Sequence, residues 1–233
     1  MILNQNFIKQ KEMKTLQQHI NEKLIINRNN KTYNYRPKLK DELKQLIKKL
    51  IEERGNEANL NDIDVSEITD MSELFQRTNF NGDISEWDVS NVEDMSGMFA
   101  RSQFNGDISK WDVSKVIYMK YMFEESEFNV DISEWNVGKV KYMSFMFTES
   151  HFDGDISKWN ISNVTDMYAM FKKSKFNGDI SGWNVANVKY MTSMFKESEF
   201  NRDISNWNID ILCAVTDMFK DCPIKEEYKP RRK

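Results

Sequence analysis

The chain has 233 residues, 39% hydrophobic and 30% charged, with a net charge of −4, two cysteines and no run approaching the ~20 apolar residues of a membrane-spanning helix. The charge is divided: residues 1–55 carry 13 Lys/Arg against 6 Asp/Glu, residues 223–233 carry 5 against 2, and the stretch between carries 15 against 29. An acidic body excludes nucleic acid as a partner along it, because phosphate contacts need Lys and Arg, and so few cysteines exclude a disulfide framework.

The opening MILNQNFIKQKEMK lacks the basic stretch and apolar run of a secretory signal, and no lipobox-like cysteine lies near it, so the sequence by itself points to the cytoplasm or to export by a route that uses no such signal. Residues 1–36 read as an N-terminal arm, helical in part around 5–26, where Leu16, Ile20 and Leu24 are four apart. The spacing of Leu39, Leu43, Leu46, Ile47, Leu50 and Ile51 predicts an amphipathic helix within 37–55, with Pro37 in its first turn and Gly55 just past its end. Its one-sided stripe suits a cap over the open end of the repeat array that begins at residue 56.

From residue 56 to 222 a 24-residue block repeats about seven times. Trp recurs at 87, 111, 135, 159, 183 and 207, Phe at 80, 104, 128, 152, 176 and 200, and Met-Phe at 98–99 and every 24 residues to 218–219. Residues 56–79 form a degenerate first copy with Ile63 in place of Trp, and the last copy drifts, with Val215 where Met is expected. Ile84-x-x-Trp87-x-Val89 has the spacing of a leucine-rich-repeat strand, with Trp87 and Val89 inward and Glu86 and Asp88 outward. Val92, Met95, Met98 and Phe99 have the spacing of a short helical return. The expected fold is therefore an α/β repeat: a leucine-rich-repeat-like solenoid of strand and helical return behind an N-terminal capping helix. Residues 223–233 read as a basic tail beyond it.

Several columns could carry chemistry. The Trp column shares its side of the strand with Val or Ile, which marks it as core rather than as a sugar platform. Asp83, Asp107, Asp131, Asp155, Asp179 and Asp203 either fix their own turns or form a calcium-binding column. Asp64, Asp88, Asp112, Asn136, Asn160, Asn184 and Asn208 make a second polar column, and the residues two before them vary. A varying exposed face is where solenoids bind partners. The expected binding face is thus Glu86, Asp88, Lys110, Asp112, Glu134, Asn136, Lys158, Asn160, Asn184 and Asn208, unless it is polar for solvation alone. Tyr118, Tyr142 and Tyr190 share an outward position, with Tyr121 and Tyr168 nearby, and form either a contact patch or packing between units. His19 and His151 lack the partners of a triad or metal site, Cys213 and Cys222 read as core and loop fillers, and no phosphate-binding Gly loop exists. No catalytic residue, metal ligand or cofactor is expected, and the partner expected is another protein.

The motif F-N-x-D-I-S-x-W-[DN]-[VI]-x-x-V-x-x-M-x-x-M-F-x-x-S over roughly 37–225 resembles the BspA-like leucine-rich-repeat surface proteins, in the short-repeat form of mycoplasma-type surface lipoproteins. The resemblance implies a solenoid without catalysis and, for secreted members, adhesion to host matrix or to other cells. It therefore places the chain at the cell surface, where the N-terminus by itself does not.

Overall fold

The computed structural model describes residues 32–231, and from Tyr35 onward the described chain forms one compact unit. Helix α1 spans Lys40–Arg54 and buries Leu43, Ile47 and Leu50. It begins three residues later than the sequence suggested. Pro37 precedes it, and Leu39 is the N-cap residue, 64% exposed, rather than part of the apolar stripe. The Glu42 carboxylate accepts the Lys38 N–H, and Gly55, at φ 88°, closes the helix by donating to the Ile51 carbonyl. The buried side of α1 belongs to the same apolar cluster as Leu60, Ile63 and Val65 of the first repeat. At one end Lys40 binds Asp70, and at the other Arg54 forms a two-pronged pair with Asp62 (3.0 and 3.1 Å).

The repeats stack in parallel, coil on coil. Bridges join Asp70 to Asp94, Asp94 to Tyr118, and so on at 24-residue steps to Tyr190 and Ala214. This column does not fall on the Ile-x-x-Trp-x-Val segment, where a strand was expected. There the Asp83 carboxylate takes the Ser85 N–H (3.0 Å) and the Ile84 carbonyl takes the Trp87 N–H (3.1 Å), so the chain turns instead of extending. The inside–outside alternation survives: Trp87 and Val89 are buried and Glu86 is exposed.

The expected helical return is also absent. Residues 95–102 form successive β-turns, closed by Met98 N–H to Met95, Ala100 to Gly97 and Ser102 to Phe99. The residues between donate instead to the next coil: Met95 to the Tyr118 carbonyl, Gly97 to Lys120, Phe99 to Met122 and Arg101 to Glu124 (2.7–3.0 Å). Half of the N–H groups are thereby committed to a neighbouring coil, and a helix's i→i−4 bonds cannot form. The turns need left-handed residues at 97 and 101 and at their counterparts in each coil. At the first of these positions only Gly97 is glycine; Glu73, Tyr121, Phe145, Ala169, Ser193 and Asp217 hold φ of 52–60° there. Each costs about 1–2 kcal/mol of backbone strain, held in place by the ladder on either side.

Apolar columns fill the interior. Phe99 stacks on Phe104 (4.3 Å between centroids) and on Phe123 of the next coil (5.8 Å), and Trp87 lies parallel to Trp111. Every indole N–H donates to the carbonyl 27 residues earlier, Trp135 to Ile108 for example (3.1 Å), which links neighbouring coils through the core. On the outside, the Asn after each Phe does the same: Asn81 accepts the Asn105 N–H, Asn105 that of Asn129, and Asp153 substitutes without loss. In the last coil the register slips by one residue around Asp210–Cys213 and is regained at Ala214. Cys213 is buried, and Leu212, which stands in the Val92 column, is 88% exposed.

Residues 223–231 are not a free tail. Ile224, 24 residues after Phe200, is buried in the core; Lys225 N–H binds the Asn201 side chain, and Ile204 N–H binds the Tyr228 carbonyl. A 3-10 turn at Glu226–Tyr228 then leaves the repeat.

Candidate functional site

The polar columns named as a binding face are exposed except for Asp88, which is half-buried. Their lower halves are partly occupied by turn chemistry. Asp88 accepts the Ser90 N–H, Asp112 that of Ser114, Asn136 that of Gly138, Asn160 that of Ser162 and Asn184 that of Ala186 (3.0–3.2 Å). Asn208 is exposed at the same position of the last coil. Glu86, Lys110, Glu134 and Lys158 extend outward, and Lys158 meets Glu134 across one coil step (3.5 Å). An ion pair this exposed contributes little to stability.

The Asp83 column is also built from turns. Each Asp accepts the N–H of the Ser two residues on, and Asp83 and Asp107 accept its hydroxyl as well. Those bonds hold the carboxyls of Asp107, Asp131, Asp155, Asp179 and Asp203 below the ordinary aspartate value. Among the described residues no three His, Cys, Asp or Glu side chains gather as a metal-binding group.

The turn ladder carries the most distinctive surface. Tyr118 and Tyr142, both in the bridge column, stack at 5.1 Å with planes 2° apart, and Lys120 Nζ lies 4.8 Å from the Tyr142 ring centre. Beside them Tyr121 stacks on Phe145 (4.6 Å), which meets Tyr168 (5.0 Å). Tyr121 and Phe145 are left-handed turn residues, and their rings are partly exposed. Tyr190, two coil steps beyond Tyr142, is 54% exposed. The Tyr121 hydroxyl is raised above its ordinary value, chiefly by burial and then by Glu124 and Asp166. Phe145 had no place in the sequence reading, although its position 24 residues after Tyr121 was a sufficient signal.

His151 pairs with Glu127 (2.8 Å) on the surface, one coil step away. Cys213 is buried, and Cys222 Sγ lies 3.2 Å from the Phe200 carbonyl. No helix among the described residues is long and apolar enough to cross a membrane.

A family model described as "Mycoplasma protein of unknown function, DUF285" matches residues 42–152 and again 124–229. The two matches overlap over 124–152, as a model of repeats does when laid along a longer array. No curated protein and no solved structure matches the chain.

Proposed function

Given that the chain belongs to this Mycoplasma family, we propose that it is a non-enzymatic repeat solenoid that binds another protein through exposed side chains on successive coils. The observation that carries this reading is the aromatic cluster of Tyr118, Tyr121, Tyr142, Phe145 and Tyr168. Three of these rings are 37–39% exposed, in a ladder where other coils hold Asp94 and Asp166 at the Tyr118 position. Aromatic side chains on an otherwise polar surface are the enriched component of protein interfaces. The columns from Glu86 to Asn208 form the polar remainder of the binding surface, and their variation from coil to coil supplies specificity. The resemblance of the motif to BspA-like repeats supports a partner on host matrix or on another cell. The Asp83 column favours turn fixing over calcium, since each carboxylate already serves a turn.

A photo-crosslinking residue placed in turn at Tyr118, Tyr142 and Lys158, in the native cell, tests the binding reading. Discrete crosslinked products from 118 and 142 are expected; their absence at all three positions refutes it. Protease shaving of intact cells separates the two settings. Release of peptides from 56–222 supports an adhesin, and release only after lysis supports an intracellular scaffold.

A further inference from the structure

At the C-terminal end the stack leaves a recess. Elsewhere the next F-N-x-D turn packs onto the one before. Beyond Asn201 the chain keeps that register only to Lys225 and then turns away through Glu226–Tyr228. A cavity of about 520 Å³ remains, lined by Asp179 and Ser181 of one coil, Arg202, Asp203 and Asn206 of the next, and Tyr228 of the returning segment. A pocket of this size suits a small ligand.

The repeat departs from its own pattern here. Arg202 stands in a column otherwise held by Gly82, Gly106, Val130, Gly154 and Gly178. Asn206 stands where four earlier coils carry Glu86, Lys110, Glu134 and Lys158, and one step before it is Gly182, at which a Cβ would meet nothing within 4 Å. Long charged side chains are therefore missing where the recess opens, and a guanidinium has been added.

The polar atoms are only partly used. Asp179 and Asp203 each spend one carboxylate oxygen on the N–H of Ser181 or Ser205 (2.9 Å). Arg202 spends Nε on the Asn177 carbonyl (2.7 Å), and its terminal nitrogens have no hydrogen-bond partner among the described residues. Asn206 donates its amide to the Ser181 carbonyl (3.0 Å), which leaves its side-chain oxygen as an acceptor. Tyr228 is anchored through its carbonyl to Ile204 N–H.

We infer that this recess binds a saccharide. Two carboxylates repel a phosphate or other anion, and the Arg202 guanidinium on the same lining opposes a compact polycation. A neutral polyhydroxylated ligand satisfies both, since its hydroxyls donate to the Asp179, Asp203 and Asn206 oxygens and accept from Arg202. Tyr228 closes the rim: its ring packs against the core, its hydroxyl accepts from Lys225 Nζ (3.2 Å), and that ammonium lies 4.8 Å from the ring centre. The recess is separate from the Tyr118–Tyr168 cluster in sequence and coil position, so it stands or falls independently of that surface.

The test is amide chemical-shift titration of the full chain with glucose, galactose and N-acetylglucosamine, each to high millimolar concentration, with inorganic phosphate and spermidine as charged probes. Saturable shifts at Ser181, Gly182, Asn206 and Tyr228 with at least one sugar are expected. Asp203→Asn, which keeps the turn acceptor, and Arg202→Gly, which restores the residue of other coils, should each weaken that binding about tenfold; Glu52→Gln, on the exposed side of α1, should leave it unchanged. No shift with any of the three sugars overturns the inference. So do equal shifts in both recess variants, or the same shifts with phosphate or spermidine alone.

Discussion

Trp135→Phe isolates the bond that ties one coil's core to the next. Trp135 is buried, and its indole N–H donates to the Ile108 carbonyl at 3.1 Å. That carbonyl also accepts the Trp111 N–H at 3.1 Å, so losing the indole leaves it half-satisfied rather than orphaned. The hydrogen-bond loss therefore falls near the low end of the usual range, about 1 kcal/mol. The smaller ring adds about 1–2 kcal/mol for the unfilled volume. The sum is about 2–3 kcal/mol, against about 3–5 kcal/mol for Trp135→Ala at the same site. Urea denaturation followed by circular dichroism measures both, with the slope unchanged if the unfolded surface is the same. A loss for Trp135→Phe below about 0.5 kcal/mol, within the range of ordinary surface substitutions, would refute the role assigned to the indole ladder. So would a loss equal to that of the alanine variant.

Gly97→Ala should cost about 1–2 kcal/mol from the left-handed backbone alone, because the new Cβ has ordinary contacts, the nearest 3.4 Å away at Glu73; thermal denaturation checks it, and no change would contradict the turn assignment. In α1, Leu50→Ala should cost about 2–5 kcal/mol, whereas exposed Leu39→Ala should change stability by less than about 0.5 kcal/mol; equal effects would contradict the boundary at Lys40. The five aspartates with depressed folded-state values contribute stability that is present above their unfolded value and lost as pH falls through the folded one. The melting temperature should therefore hold above about pH 5 and drop below about pH 4; a rise on acidification across that window would refute the sign. A double-mutant cycle on Tyr118→Ala and Tyr142→Ala should give a coupling of about 0.5–1 kcal/mol for the stacked pair, and a coupling of zero would mean the rings do not meet in solution.

The sequence made the repeat length, the inward residues and the existence of α1 legible, because Trp, Phe and Met-Phe recur in strict register and because Leu43, Ile47 and Leu50 mark a helical face. It also made the turn role of Asp83 and its counterparts legible, since an Asp two residues before a Ser has a local use. It did not disclose the path of the backbone between the core positions. Val92, Met95, Met98 and Phe99 are spaced as on a helix, but an apolar pattern reports which side chains are buried and not which carbonyl each N–H selects. The left-handed turns were hidden for a related reason: a type II turn advertises itself by glycine, and only Gly97 does so at its position. The packed C-terminal segment was missed although Ile224 keeps the 24-residue step, because the charged residues around it read as a tail. Of the candidate surface, Tyr118, Tyr142 and Tyr190 were found by their shared column and Tyr121 and Tyr168 by lying near it; Phe145 and the recess beside Tyr228 emerged only when neighbouring coils were placed together.

The stacked turn ladder is the central structural claim, and scalar couplings across hydrogen bonds in a deuterated sample test it most directly. Couplings are expected from the amide nitrogens of Met95, Phe99, Met119 and Phe123 to the carbonyl carbons of Tyr118, Met122, Tyr142 and Met146, each 23 residues later. Couplings from residues 95–99 to carbonyls four residues earlier would establish a helical return instead and would contradict the ladder.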